Sequence, residues 1–238
     1  MLPLYTDLSG KRIVVFGGGD VAERKICQIL ETGGGMEVEW DGKWRGRRKR
    51  GNARIEVYSI DFTPRIEEFC KKNEIRCFRC DLWDQNLEEL LKGAFMILIC
   101  TSDEPLNNRI FEEAEKSDTF MLINYKDNGN AFMSSVINKG GIVISISTGG
   151  EVPAMARYMK EKIAPLIGDK EEKMLYILAQ LRDYLKETVK DETRRKKILS
   201  SVLSDSACWS TLDEPLPVEI AKNCIFKIVE ERYRYRYR

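Results

Sequence analysis

The first half of the chain alternates short, wholly apolar runs with longer stretches whose apolar residues recur at helical spacing. The run 13–16 contains no polar residue, which is typical of a strand buried on both faces of a sheet. Apolar positions then recur at Ala22, Ile26 and Leu30, on one face of a helix. The same order repeats, with strands predicted at 54–59, 75–80, 95–100 and 120–125 and helices at 63–72, 86–92 and 106–117. This alternation predicts an α/β fold in which a parallel sheet carries helices on both faces.

The pattern changes after residue 125. Two strand-like runs, 131–137 and 141–148, are joined by Asn138-Lys139-Gly140, which predicts an antiparallel hairpin. A two-stranded ribbon is marginal alone, so we expect a second subunit to complete it. Pro153 predicts the first turn of a helix over 154–167, and apolar stripes beyond Gly168 predict helices around 174–185, 194–203 and 218–231. The predicted divisions are a domain at 1–125, a central dimerisation region at 126–150, and a helical domain at 151–238.

The first predicted strand ends in three glycines. The stretch Gly17-Gly18-Gly19-Asp20-Val21-Ala22 has the pattern G-x-G-x-x-A, which is informative only between a strand and a helix, as here. In this pattern Gly17 suits the tight turn, Gly19 lets a pyrophosphate approach the backbone, and Ala22 lets helix and strand pack closely. The N–H groups of the helix start would then face the phosphates. We therefore expect a Rossmann-like dinucleotide site, with a glycine-rich turn in some other α/β protein as the alternative.

Two further strand ends supply candidate cofactor contacts. In dinucleotide-binding sheets an acidic residue ends the second strand and binds the adenosine ribose, about 20 residues beyond the glycines. Here that end is Ser59-Ile60-Asp61, and its spacing approaches this value once an insertion at about 34–51 is set aside. Asp61 would then favour NAD over NADP, and a turn cap is the equal alternative. Thr101 follows the fourth predicted strand, at the edge where such sheets bind ligands.

Composition and charge narrow the chemistry. The 238 residues include no histidine, so proton transfer must use Asp, Glu, Lys, Tyr or Cys. The net charge is only +1, but basic residues cluster at 43–50 and in an Arg/Tyr tail at 232–238. The basic insertion is interpreted mainly as a solvated segment, with a flap that binds an anionic ligand or nucleic acid as the alternative. No apolar run of about 18 residues and no signal-peptide pattern occur, which favours a cytoplasmic protein.

The cysteines do not indicate a metal site. Seven cysteines are scattered through apolar segments, an odd number that suits reduced thiols in a reducing compartment. Cys77 and Cys80 form C-x-x-C, but they lie in a predicted strand whose alternation points them to opposite faces. We therefore expect neither a metal nor a redox role for this pair.

Four segments of the chain together resemble one family. They are 17–25 (Gly-Gly-Gly-Asp-Val-Ala-Glu-Arg-Lys), 61–64 (Asp-Phe-Thr-Pro), 124–127 (Asn-Tyr-Lys-Asp) and 147–157 (Ser-Thr-Gly-Gly-Glu-Val-Pro-Ala-Met-Ala-Arg). In this order they are similar to the precorrin-2 dehydrogenase / sirohydrochlorin ferrochelatase family, the siroheme synthase module in its stand-alone form. The resemblance extends over about 3–205, and it covers neither the insertion nor the end of the chain.

The resemblance implies a homodimer that oxidises precorrin-2 to sirohydrochlorin with NAD. In many members it also implies insertion of ferrous iron, as a substrate, to give siroheme. The family's essential aspartate falls on Asp127, which becomes the expected catalytic base. Together with the glycine pattern, the resemblance implies cofactor contacts at Gly17, Gly18, Gly19, Asp20, Val21, Ala22, Ser59, Ile60, Asp61 and Thr101. It implies substrate contacts at Asn124, Thr148, Gly149, Gly150 and Arg157.

A polycarboxylate tetrapyrrole needs a basic rim, which Arg157, Lys160, Lys162 and the 43–50 cluster are able to supply.

Two alternatives to the bifunctional enzyme stay open. One alternative keeps the dehydrogenase and drops the chelatase, and sequence does not separate the two because the same aspartate is expected in both. The other is a non-enzymatic module that senses NAD and reports to a partner, which leaves Asp127 without a role.

Overall fold

The structure, a computed structural model, describes residues 2–34, 53–117, 120–126, 128–213 and 216–232, with the backbone alone at 33–34. Three sequence predictions fall outside these described residues. They concern the expected base Asp127, the insertion beyond residue 34 with its basic cluster, and the Arg/Tyr tail at 233–238.

Five parallel strands form one sheet in the order β3-β2-β1-β4-β5. Strand β1 is central, and its last residue, Phe16, pairs with Tyr58 of β2 and Ile99 of β4. The bounds are β1 Arg12–Phe16, β2 Arg54–Ser59, β3 Arg76–Arg79, β4 Met96–Ile99 and β5 Leu122–Asn124. The predicted Rossmann-like parallel sheet is confirmed, and its order reverses between β1 and β4, where sheets of this class bind ligands.

Helices cover both faces of this sheet because β1 is apolar at consecutive positions. Val14 and Phe16 belong to one core cluster, whereas Ile13 and Val15 belong to the cluster on the opposite face. The connecting helices are α1 Asp20–Ile29, α2 Pro64–Lys71, α3 Leu87–Leu91 and α4 Glu104–Glu115, with a 3-10 turn at Leu82–Asp84. In α2, α3 and α4, the side chain of the residue directly before the helix caps its N-terminus by accepting from a backbone N–H.

Two boundaries in this half differ from the prediction. Helix α4 begins at Glu104 rather than 106, because the carboxylate of Asp103 accepts from the N–H of Leu106 and Pro105 fits the first turn. Strand β5 is shorter than the predicted 120–125. On its outer edge the side chain of Asn130, and not a further strand, forms hydrogen bonds with the backbone of Met121 and Ile123. Both differences come from side chains that compete with the regular pattern.

The predicted hairpin forms, but its register differs. It consists of β6 Ser135–Lys139 and β7 Ile142–Ile146. The turn is Gly140-Gly141, with φ of +52° and +89°, and not the predicted Asn138-Lys139-Gly140. Two consecutive residues with positive φ suit a two-residue hairpin loop, and only glycine takes that conformation freely. The strand predicted at 131–137 was therefore wrong over 131–134, and the actual strand extends to Lys139.

The rest of the described chain is helical, as predicted. Helix α5 is Pro153–Ile163, followed by a 3-10 turn at Ala164–Leu166. The next helices are α6 Asp169–Thr188, α7 Glu192–Ser204, α8 Ser206–Ser210 and α9 Val218–Arg232. The short helix α8 was not predicted, and the carboxylate of Asp205 starts it by accepting from the N–H of Ala207. Helices α6 to α9 share one core, in which Met174, Ile177 and Leu181 are buried.

The chain divides into two compact units. The first contains the described residues up to 136 together with 145–158, and the second contains those in 137–144 and from 159 onward. The three-part division predicted from the sequence is a different partition and stays a prediction. Among the described residues, none of the helices has the length and apolar character that crossing a membrane requires.

Candidate functional site

The glycine turn lies at the carboxyl end of β1. Gly17 has φ of +104°, and its N–H donates to the carbonyl of Tyr58 over 2.9 Å. A Cβ on Gly17 would lie 2.8 Å from the carbonyl carbon of Cys100 and 2.9 Å from the amide nitrogen of Thr101. Both the backbone conformation and the close approach of the end of β4 therefore require glycine here.

Gly18 brings the end of β2 against the same turn. A Cβ on Gly18 would lie 2.2 Å from the backbone oxygen of Asp61. The carbonyl of Gly18 accepts from the N–H of Thr63 over 2.9 Å. The segment that follows β2 is thus fixed directly beside the glycine turn.

Gly19 is different, because no described atom lies within 4 Å of the position of its Cβ. It precedes α1 with φ of −87° and ψ of −171°, and no side chain caps the helix. Asp20 and Val21 are exposed, whereas Ala22 is fully buried in the core beneath the helix. An uncapped helix N-terminus with open space at Gly19 fits the pyrophosphate of a dinucleotide, since its N–H groups and its dipole favour an anion.

The end of β2 carries the predicted ribose contacts. Ser59 is half-buried, and Ile60 is 59% exposed although it is apolar. The carboxylate of Asp61 faces solvent and forms an ion pair with Arg79, whose Nη1 lies 2.6 Å from Oδ1. Arg79 is the last residue of β3, so the neighbouring strand supplies a partner for the predicted ribose residue.

A hydrogen-bond network fixes Thr101 at the end of β4. The Nδ2 of Asn107 donates to the carbonyl of Thr101 over 2.9 Å, and its Oδ1 lies 2.6 Å from the Thr101 hydroxyl. The N–H of Asp103 donates to the same hydroxyl over 3.2 Å, and Asp103 in turn accepts from the indole N–H of Trp83 over 2.9 Å. Because Asn107 is buried on α4, it holds the loop that contains Thr101.

Asn107 and Arg79 were not predicted from the sequence, although a signal was present for each. Asn107 is a polar residue on the otherwise apolar buried stripe of α4, where a buried amide needs a specific partner. Arg79 is a basic residue at the end of a strand beside the ribose position, where an arginine can select a 2′-phosphate.

The end of β5 leads to the expected base. Asn124 is buried, and its Nδ2 donates to the carbonyl of Ala131 over 2.8 Å, so this amide anchors the following segment. The hydroxyl of Tyr125 donates to the Oδ1 of Asn108 over 2.6 Å. Lys126 has φ of +32° and pairs with Glu104 over 2.9 Å. Asp127 follows these residues and lies outside the described part of the chain.

Three of the four remaining predicted substrate residues form a second glycine turn. The hydroxyl of Thr148 contacts both the N–H and the carbonyl of Val152, over 3.3 and 3.1 Å, which closes the turn before α5. Gly149 and Gly150 have φ of +73° and +94°, and no described atom lies within 4 Å of their Cβ positions. Arg157 is exposed on α5.

The cysteines form no disulfide within the chain. All seven are free, and no group of three His, Cys, Asp or Glu residues able to hold a metal occurs within the described ranges. Cys77 and Cys80 pack against the cores on opposite faces of the sheet, as predicted. Burial raises the pKa of Cys77 to about 12, which keeps this thiol protonated and poorly suited to redox or metal chemistry.

One thiol lies close to the glycine turn. Burial raises the pKa of Cys100 above its ordinary value, and the ammonium of Lys25, 3.4 Å from Sγ, opposes this shift. Lys25 is the last residue of the Gly-Gly-Gly-Asp-Val-Ala-Glu-Arg-Lys segment. Its contact with Cys100 ties α1 to the end of β4.

Comparison with known proteins gives this site a context. A family model described as putative NAD(P)-binding matches residues 4–40 and 42–136. A precorrin-2 dehydrogenase of Methanosarcina barkeri (strain Fusaro / DSM 804) is 34% identical over 217 residues, which is 90% of this chain and 87% of that protein. A siroheme synthase of Neisseria meningitidis serogroup C (strain 053442) is 27% identical over 198 residues, 82% of this chain but only 36% of the relative.

The structural comparison agrees on the fold. The solved structure of SirC, precorrin-2 dehydrogenase, matches with a TM-score of 0.69 over 97% of this chain and 100% of that chain, at 20% identity. That likeness shows the fold alone. The family model and the relative at 34% identity show more: the chain belongs to the precorrin-2 dehydrogenase family, with an NAD(P)-binding sheet.

Proposed function

We propose that this chain oxidises precorrin-2 to sirohydrochlorin with NAD as the hydride acceptor. The observation that carries the proposal is the open, uncapped N-terminus of α1 at Gly19, in a turn whose other two glycines lie against the backbone of Asp61 and Thr101. Asp61 follows β2 and Thr101 follows β4, the two strands that flank β1. At the switch point of the sheet, this arrangement provides a site for an anion, a carboxylate that can accept hydrogen bonds from a ribose, and the end of β4. The relative named precorrin-2 dehydrogenase supports the substrate.

In this proposal the chain positions the two reactants and accepts the proton that oxidation releases. NAD supplies the chemistry of hydride acceptance, which no amino-acid side chain provides. The N–H groups at the start of α1 bind the pyrophosphate, and the carboxylate of Asp61 accepts from the ribose hydroxyls. Asn107 keeps the loop of Thr101 in place through the two hydrogen bonds described above.

The proton released on oxidation needs an acceptor, and the chain has no histidine. The resemblance assigns this role to Asp127, which follows the end of β5 by a few residues. A carboxylate at the carboxyl end of a strand suits the position, since ligands of such sheets bind at that edge. Asp127 is therefore the proposed catalytic base.

The finer proposal adds ferrous iron insertion into sirohydrochlorin to give siroheme. Iron is a substrate in this step, and its entry displaces two pyrrole N–H protons that the same carboxylate is able to accept. The siroheme synthase of Neisseria meningitidis matches 82% of this chain and supports the proposal. A dehydrogenase without this second activity is the competing form.

The central segment is proposed to form a homodimer. In this proposal 126–150 is the dimerisation region, after a nucleotide-binding domain at 1–125 and before a helical domain at 151–238. Val136, Ile142 and Ile144 are only half-buried on the hairpin, and Phe132 is 41% exposed. Apolar side chains on a two-stranded ribbon are best covered by a second copy. Light scattering at micromolar concentration should give twice the mass of one chain, and a monomeric mass would contradict this.

One anaerobic experiment tests the activity. Precorrin-2 is supplied with NAD, sirohydrochlorin is followed by its absorbance, and ferrous or cobalt ion is then added. Asp127→Asn keeps the shape and removes the base, so we expect both rates to fall by a factor on the order of 10² or more with NAD binding retained. Glu115→Gln, an exposed carboxylate at the end of α4, is the matched control and should leave both rates unchanged.

Each outcome of this experiment separates the candidates. Oxidation without metal insertion would identify a dehydrogenase only. NAD binding without oxidation by the unmodified chain would favour the sensing module. Near-normal rates in Asp127→Asn would move the base to another carboxylate, with Asp103 and Glu151 the next to be substituted.

A further inference from the structure

Arg79 contacts four groups around the proposed ribose position. Its Nη1 donates to Oδ1 of Asp61 over 2.6 Å and to the carbonyl of Ile60 over 2.8 Å. Its Nη2 donates to Oε1 of Glu67, on α2, over 3.2 Å. The guanidinium also lies over the ring of Phe62, 5.3 Å from its centroid. The position of Arg79 is therefore set by two carboxylates, one carbonyl and an aromatic face.

This cluster contributes little to folding. The side chains of Asp61, Arg79 and Glu67 are 84%, 55% and 43% exposed. Ion pairs at such exposure are weak in stability terms, because water and salt screen them. Substitutions here should therefore leave the fold intact and report on ligand selection.

The cluster combines two features that separate NAD from NADP. An acidic residue at the end of the second strand accepts from the ribose hydroxyls of NAD, whereas a nearby arginine accommodates the 2′-phosphate of NADP. Here both types are present and bonded to each other. Asp61 and Glu67 carry two negative charges, and Arg79 carries one positive charge. This three-residue cluster is therefore net negative and repels a phosphate.

We propose that Arg79 is a specificity-determining residue, held away from a 2′-phosphate by Asp61 and Glu67 and able to bind that phosphate when Asp61 is removed. The described structure shows no protein partner for Oδ2 of Asp61, which leaves this oxygen for a ribose hydroxyl. Arg79 thus orients the acidic residue that selects NAD. This inference rests on the dinucleotide site of the proposed function but not on its substrate.

The test measures dissociation constants of NADH and NADPH by calorimetry, without any tetrapyrrole. The unmodified chain should bind NADH at least about tenfold more tightly than NADPH. Asp61→Ser should weaken NADH and tighten NADPH by about tenfold, because the guanidinium then forms charge-assisted bonds to the 2′-phosphate. The double variant Asp61→Ser/Arg79→Met should lose that gain, and Asp61→Ser/Arg79→Lys should keep part of it.

Two controls match the variants in position and type. Arg76→Met changes an exposed arginine at the opposite end of β3, and Glu68→Gln changes the glutamate beside Glu67 that pairs with Lys72. Both should leave the ratio of the two dissociation constants unchanged. Glu67→Gln should shift that ratio toward NADPH by less than Asp61→Ser does.

The outcomes distinguish this proposal from the proposed function. Unchanged NADPH affinity in Asp61→Ser, or a gain that survives Arg79→Met, would overturn the role of Arg79. Failure of the unmodified chain to bind either dinucleotide would overturn both proposals. Selective NADH binding and the expected shifts, in a chain that does not oxidise precorrin-2, would support Arg79 and remove only the proposed substrate.

Discussion

Two glycine turns precede helices in the same compact unit, and they need glycine for different reasons. At the first turn a Cβ on Gly17 or Gly18 would meet the backbone of Cys100 or Asp61 at 2.8 or 2.2 Å. At the second, Gly149 and Gly150 have positive φ, yet no described atom lies within 4 Å of their Cβ positions. Packing therefore demands glycine at the first turn, whereas backbone conformation alone demands it at the second.

Gly19 belongs to neither class. Its φ of −87° is open to any residue, and no described atom from outside the turn lies within 4 Å of the position of its Cβ. Neither packing nor conformation requires glycine there, and in the proposed function this is where the pyrophosphate approaches the backbone. The comparison thus separates the glycines that build the turn from the one that is proposed to leave room for an anion.

The largest effect is expected for Gly18→Ala. The added methyl group would meet the backbone oxygen of Asp61, which cannot rotate away, so a strand end must shift. We expect the free energy of unfolding in urea to fall by about 3 kcal/mol or more, with loss of NADH binding. Gly93→Ala is the control: Gly93 has φ of +71° with open surroundings, so only about 1–2 kcal/mol of backbone strain is expected. Equal losses in the two variants would contradict the distinction.

The next effect is on binding and not on folding. Gly19→Asp places a carboxylate in open space beside the N-terminus of α1, so the unfolding free energy should change by less than about 0.5 kcal/mol. The dissociation constant of NADH should rise by about 100-fold, because the added charge occupies the anion site and repels the pyrophosphate. Gly19→Ala serves as the uncharged control, with a smaller loss. Calorimetric titration of both variants measures this, and unchanged affinity in Gly19→Asp would remove the cofactor assignment.

The first turn was predictable from the sequence because its signals are local. Strand β1 is apolar at every buried position, three glycines follow at once, and Ala22 lies one helical turn further on. Strand β2 was predicted with its observed bounds for the same reason, since Ile55 and Val57 alternate toward one core. Where apolar residues recur with a regular period, a few neighbouring positions are enough to predict the secondary structure.

The features that could not be predicted depend on distant partners. Asp61 follows β2 and Arg79 ends β3, so their contact exists only because these two strands pair. Asn124 was expected to contact substrate, yet its amide is buried and bonds Ala131, so that expectation stays a prediction that the geometry does not favour. The hairpin register was wrong because Gly140-Gly141 outweighs the polar residues before it as a turn.

A smaller effect is expected at the second turn. Gly149→Ala introduces a side chain at φ of +73° in open space, so the unfolding free energy should fall by about 1–2 kcal/mol and NADH affinity should not change. Gly149→Asn should recover most of the loss, because asparagine tolerates the left-handed conformation. The same exchange at Gly18 should recover nothing. Urea unfolding of the four variants would show whether conformation alone requires glycine at 149.

The smallest effect leaves the fold unchanged and uses a thiol as a probe of the first turn. The Cys100 backbone lies against Gly17, and burial raises the pKa of its thiol above the ordinary 9.0, with Lys25 opposing this shift. The thiolate is the reactive form, so at pH 7 iodoacetamide should label Cys100 at least about tenfold more slowly than the exposed Cys224. Raising the pH toward 9 should speed the labelling of Cys100, because ionisation of a thiol with a raised pKa begins only at alkaline pH.

In Gly18→Ala the turn is displaced, Cys100 gains access to water, and the labelling rates of Cys100 and Cys224 should converge. Mass spectrometry of the alkylated peptides measures both rates in one sample, and a Cys100 that reacts as fast as Cys224 in the unmodified chain would show that the first turn is not closed.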